Sequence, residues 1–118
     1  MKIIITESQI EDIYFEFIND QVGDLYKREN VSKKNPYGAT LFKGSKFWLN
    51  NKEVMFELDE LDRLWIQREL FERFQNIFGT SYNETIEIFK IWARIYLVDA
   101  EKVFSAHEKN WGRWKNIG

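Results

Sequence analysis

The stretch from Leu70 to Leu97 constrains this chain most, because it spells a helix, a stop and a second helix start in direct succession. Leu70, Phe71, Phe74, Ile77 and Phe78 recur at helical spacing, and Gly79 then supplies the residue that most easily closes a helix in the left-handed conformation. Ser81-x-x-Glu84 follows with the form of a capping box, in which serine and glutamate satisfy free backbone N–H groups at a helix start. Behind it Ile86, Ile88, Phe89, Ile91, Trp92, Ile95, Tyr96 and Leu97 leave only a narrow polar strip of Glu87, Lys90 and Arg94. A helix apolar over so much of its circumference is expected in the middle of a core.

Upstream, Lys2–Ile5 is a candidate short N-terminal strand, and Thr6-x-x-Gln9 has the form of another capping box. Ile10, Ile13, Tyr14, Phe17, Ile18 and Gln21 then follow helical spacing, which predicts a helix reaching at least Asp20, with Gly23 ending or weakening it. Residues 27–46 are the least regular stretch, with Pro36, Gly38 and Gly44, and predict a loop or excursion. Lys46–Leu49 and Val54–Leu58 flank Asn50-Asn51-Lys52 and read as a hairpin. Asp59–Asp62 reads as a second turn before a third strand at Leu64-Trp65-Ile66, although Leu61, Leu64, Leu70 and Phe71 also fit a helix from Asp59 onward. Val103, Phe104, His107 and Trp111 fall on one face of a last predicted helix, stopped by Gly112. The predicted class is therefore α+β: one domain, 1–118, with a small antiparallel meander of about three strands packed against three to four helices.

Composition narrows the chemistry. Twenty aromatic residues (5 Trp, 5 Tyr, 10 Phe) accompany no Cys and a single His in 118 residues. The commonest acid–base, nucleophile and metal-ligating side chains are thus nearly missing, while residues that dominate cores and binding hot spots abound. A net charge of −2 gives no global argument for nucleic acid or membrane. The three isoleucines before Glu7 are too few for a signal peptide, and no apolar run approaches the roughly 20 residues of a membrane span. A soluble cytoplasmic domain is the expectation, and the Asn-x-Ser/Thr matches at Asn30 and Asn83 are then coincidental.

The opening Met1-Lys2-Ile3-Ile4-Ile5-Thr6-Glu7-Ser8-Gln9 resembles the start of many small uncharacterised proteins in phage and marine environmental sequence. The succession Phe56-Glu57-Leu58, Leu64-Trp65-Ile66, Phe74, Ile77-Phe78 and Ile91-Trp92 is similar to theirs as well. The resemblance touches about half the chain and rests on apolar pattern. It implies a phage-associated or environmental origin and no particular reaction.

Several constellations could carry function. Asp12, Glu16, Asp20 and Asp24 sit four apart with Glu7 and Glu11 nearby; like charges at that spacing cost a few tenths of a kcal/mol per pair. The row reads as a solvated face, a docking surface for something basic or, least readily, a metal site, since no EF-hand spacing accompanies it. Between residues 25 and 52, seven cations against Glu29 alone give a local charge of +6. Cations there interleave with aromatics, so Lys33, Lys34, Tyr37, Lys43, Lys46 and Trp48 form the nucleic-acid candidate; cations follow phosphates and aromatic rings stack bases. The competing reading lays this basic segment against the acidic first helix. Gly38–Lys46 only mimics a phosphate loop, because Lys43 stands where its second glycine belongs.

His107-Glu108 lacks the second histidine of a zinc-binding helix, so His107 reads as a packed core residue and no metal or cofactor is expected. Trp111, Arg113 and Trp114 combine the residue types richest in hot spots and are the partner-binding candidates, unless they fold back over the core. Asp59, Glu60 and Asp62 would be the carboxylates of a hydrolase. The sequence points first to a non-enzymatic binding protein working by protein–protein contact or self-association. Nucleic-acid binding by the 26–48 segment is the alternative.

Overall fold

A computed structural model describes residues 7–29, 33–34, 37, 40–41 and 44–106. The elements run α1 (Glu7–Val22), β1 (Tyr26–Glu29), β2 (Lys33–Lys34), β3 (Thr40–Leu41), β4 (Lys46–Asn50), β5 (Glu53–Leu58), β6 (Arg63–Ile66), α2 (Arg68–Phe78), α3 (Tyr82–Tyr96) and β7 (Lys102–Ser105). Five strands form one sheet in the order β1-β4-β5-β6-β7, antiparallel except for the last pair, and β2 and β3 form a separate two-stranded ladder. The α+β class is as the sequence predicts. The sheet is larger than a three-stranded meander, and the predicted strand at Lys2–Ile5 lies outside the described residues.

The central hairpin follows from local chemistry. Asn51 and Lys52 both have positive φ (49° and 73°), the combination whose twist matches that of the flanking strands. At the next turn Asp59 Oδ1 accepts the backbone N–H groups of Leu61 (2.9 Å) and Arg63 (3.0 Å). Its Oδ2 accepts Arg63 Nε (2.7 Å) and Trp65 Nε1 (3.0 Å). One carboxylate thereby holds the turn, and β6 forms in place of a helix from Asp59. Val54 to Leu58 are buried without a break, so β5 is covered on both faces. Trp48, Phe56 and Ile66 share one face by register and join the helices in the core; Phe47, Glu57, Trp65 and Phe104 lie opposite them across the same four strands.

α1 closes at Gly23, whose N–H donates to the Asn19 carbonyl (3.0 Å) at a φ of +59°. α2 ends at Gly79 (φ 65°), and Ser81 and Glu84 complete the capping box that opens α3. Both punctuation signals act as read. The core then gathers Phe15, Ile18, Phe71, Phe74, Phe89 and Trp92 from the helices. Trp92 stacks on Phe56 with ring centroids 5.2 Å apart, and its Nε1–H donates to Asn19 Oδ1 (2.8 Å), tying α3 to both sheet and α1.

Three readings of the sequence are corrected. Residues 102–105 form β7, where a helix through Val103 and Phe104 was expected. Val103 and Ser105 are buried with Phe104 half-buried between them, the two-residue period of a strand, and parallel pairing with β6 satisfies the backbone. The outward N–H of Ser105 is met by the Tyr82 hydroxyl (3.3 Å). Residues 27–46 are also not simply a loop, since Tyr26–Glu29 adds an edge strand to β4. All four of its residues are exposed, so no apolar alternation announced it. Finally, α3 is not buried all round: Thr85, Phe89, Trp92 and Ala93 are buried, whereas Ile95 (60 % exposed) and Tyr96 (52 %) are open.

Candidate docking site between the first and third helices

α3 carries two apolar stripes. Phe89, Trp92 and Ala93 serve the core, while Ile88, Ile91 and Ile95 repeat at i, i+3 and i+7 on a neighbouring face. Ile88 and Ile91 pack partly against the core and also border a cleft whose other wall is α1, through Ile10, Glu11, Tyr14 and Phe15. The cleft volume is about 210 Å³. Small-molecule sites typically span about 300–1,000 Å³, and a cavity of about 150 Å³ holds one benzene ring. This volume accommodates one or two apolar side chains. Tyr96 continues the apolar rim, with its ring 6.2 Å from Phe15 in an edge contact, and Ile13 (46 % exposed) lies on the outer surface of α1.

Of the α1 carboxylates only Glu11 lines this cleft; Asp12, Glu16 and Asp20 fall by helical spacing on the opposite side of α1, and α3 also carries Lys90 and Arg94. α1 contains five carboxylates and no cation, and Glu11, Asp12, Glu16 and Asp20 are all exposed. None of these four forms an ion pair among the described residues; Arg73 reaches α1 but bonds the neutral Gln21 Oε1. On α3, Glu84 is engaged in the cap, Glu87 is exposed, and Arg94 is paired with Asp99 at 3.5 Å.

Few of the residues singled out from sequence have side chains among the described residues. Tyr37 is 93 % exposed in a turn, and Lys46 is exposed at the start of β4. Trp48 is 8 % exposed within the core cluster, where it cannot stack a base while the core is intact. Lys33 and Lys34 lie in β2, paired with Leu41 and Thr40, and their side chains are outside the described residues. Lys43, His107, Trp111, Arg113 and Trp114 lie outside them altogether. Lys27 pairs with Glu29 at 3.0 Å, and that hydrogen bond and charge hold the Glu29 carboxyl below its usual range.

Of the carboxylates considered for hydrolysis, Asp59 and Asp62 make structural hydrogen bonds and Glu60 is exposed. Burial by itself would raise the Asp59 pKa, but its bonds from Trp65, Arg63 and Leu61 outweigh that and hold it below the ordinary value. Asp62 Oδ2 accepts the Glu101 N–H (3.0 Å) and fastens the approach to β7. Among the described residues no group of three or more His, Asp or Glu could hold a metal ion, and no helix is long and apolar enough to cross a membrane. The buried Glu57 accepts a hydrogen bond from Ser45 Oγ (3.3 Å) on the sheet face opposite the helices.

The α1–α3 cleft is not anticipated from the sequence, which places the whole apolar circumference of α3 in the middle of the core. Its signal was nonetheless there: two apolar stripes on one helix exceed what one core face needs. No known protein family, curated protein or solved structure matches this chain.

Proposed function

We propose that this chain is a non-enzymatic binding protein acting by protein–protein contact through the cleft between α1 and α3. One observation carries the reading: an open apolar cleft continues into the exposed Ile95 and Tyr96 rims. Contiguous exposed apolar surface framed by charge is characteristic of interaction sites. The cleft's size suits side-chain anchors, and the carboxylates near the turns are occupied by structural hydrogen bonds. The proposal places the protein in the cytoplasm, supported by the lack of cysteine.

The test uses isoleucine-methyl NMR. A neutral helical peptide with leucines at i, i+3 and i+7 should shift the Ile10, Ile88, Ile91 and Ile95 methyl signals saturably, and a scrambled peptide of equal composition should not. Equal shifts with both peptides, or none with either, would refute the reading.

A second reading, nucleic-acid binding by residues 26–48, is favoured by the exposure of Lys27, Arg28, Tyr37 and Lys46. It predicts binding that weakens steeply with salt and is lost when Lys33, Lys34 and Lys43 become Glu. Mobility of labelled single-stranded and duplex DNA at low salt tests it, and no retardation removes it.

A further inference from the structure

We infer that residues 100–106, which contain β7, open and close as a unit while the rest of the fold stays folded. β7 is an edge strand, and among the described residues it pairs only with β6. The pairing is parallel, slightly weaker per residue than antiparallel pairing, and the strand is only four residues long.

The unit also buries little. Ala100, Val103, Ser105 and Ala106 are its buried residues, and only Val103 among them has an apolar side chain larger than a methyl group. Phe104 is half-buried and stacks on Trp65 of β6 with ring centroids 5.1 Å apart. α3, by contrast, places both Phe89 and Trp92 in the core. Local stability follows buried apolar contact, so this segment stands at the low end of the molecule.

Its remaining attachments sit at its two ends. Asp62 Oδ2 accepts the Glu101 N–H (3.0 Å) where the chain enters the strand, at an exposed position. The Tyr82 hydroxyl accepts the Ser105 N–H where it leaves, at a long 3.3 Å, and the Ala106 N–H donates to the Ile66 carbonyl (2.8 Å). Two side-chain latches, one from the β5–β6 turn and one from the start of α3, thus close a strand that brings few contacts of its own. Ladder, stack and latches all join this segment to other elements, so its opening releases them together. The Trp92–Asn19 bond and the Trp92–Phe56 stack involve no residue of the unit and persist in the open form. Opening leaves the β6 backbone unpaired on that side, an edge onto which a further strand can add.

Native-state hydrogen exchange of the full chain, followed by NMR in urea below the unfolding transition, tests the inference. The Ala106 amide reports on the unit, and the Phe89 amide in the middle of α3 reports on global unfolding. After correction for intrinsic rates, Ala106 should exchange about tenfold faster than Phe89 or more, with a shallower urea dependence because less surface is exposed. Asn19→Ala removes a bond that the open form keeps, so it should speed Phe89 about tenfold and leave Ala106 unchanged. Tyr82→Phe removes one latch but keeps the ring, and should speed Ala106 about fivefold.

Equal protection and equal urea dependence at the two amides would overturn the inference, because β7 would then open only with the whole domain. Equal acceleration of both amides by Asn19→Ala overturns it for the same reason. An unchanged Ala106 rate in Tyr82→Phe overturns the latch at the end of the strand.

Discussion

Replacing Asn19 with alanine removes the acceptor for the Trp92 indole N–H, a 2.8 Å bond that joins α1 to α3. Trp92 is 1 % exposed, so water does not replace the lost partner while the core stays closed. An orphaned buried donor costs about 1–3 kcal/mol. Alanine is the better helix former and returns about 0.5 kcal/mol, leaving a net loss of about 0.5–2.5 kcal/mol. With a urea m-value of about 1.5–2 kcal/mol/M for a domain of this size, the unfolding midpoint should fall by about 0.25–1.7 M at unchanged m. The decisive comparison is the same substitution in a Trp92→Phe background. Phenylalanine has no donor to orphan, and half-buried Asn19 can turn to solvent, so Asn19→Ala should there be neutral or slightly stabilising. Urea titrations of the four proteins give the coupling directly. Equal destabilisation in both backgrounds would refute the reasoning and assign the cost to α1 packing alone.

Four further substitutions have outcomes set by the geometry. Ser81→Ala should cost about 1 kcal/mol by opening the capping box of α3, read as a lower urea midpoint, with an unchanged midpoint counting against the cap. Gly79→Ala should cost about 1–2 kcal/mol from its left-handed φ, because an added Cβ meets nothing within 4 Å. Gly23→Ala should cost more, since its Cβ would lie 2.7 Å from Asn50 Nδ2, which is held to the Val22 carbonyl; thermal melts of the two variants rank them. Asp59 has a folded pKa held below the ordinary carboxylate value, so the unfolded chain binds its proton more readily. The stability it provides is present above about pH 4 and lost as pH falls through the folded pKa. Asp59→Asn should therefore be less stable by about 1.5–3 kcal/mol at pH 7 and lose less than wild type on acidification, as measured by urea unfolding from pH 7 to 2.

Legibility tracked how local each determinant was. Gly79, Ser81 and Glu84 act within one helical turn of themselves, and the Asn51-Lys52 turn is fixed by two adjacent residues, so these boundaries could be read directly. The strand at 102–105 could not, because its period-two burial depends on lying beside β6, about forty residues earlier in the chain. β1 was hidden for the opposite reason: an exposed edge strand has no buried face to write an alternation into its sequence. Trp48 illustrates the limit for function. Its lysine neighbours in sequence suggested a stacking surface, but Trp48 is covered by the core while Lys46, on the same face of β4 at the start of the strand, stays exposed.

By itself the sequence determined the α+β class, the helix stops and starts, the central hairpin and an acidic first helix, since each rests on residues close together in the chain. The tertiary structure decided how the apolar surface of α3 was divided. Whether Ile88, Ile91 and Ile95 face core or cleft depends on where α1 lies beside them, and α1 is set by contacts such as Asn19 with Trp92, 73 residues apart. Helical period specifies which side chains share a face; only packing against distant elements specifies which faces remain open.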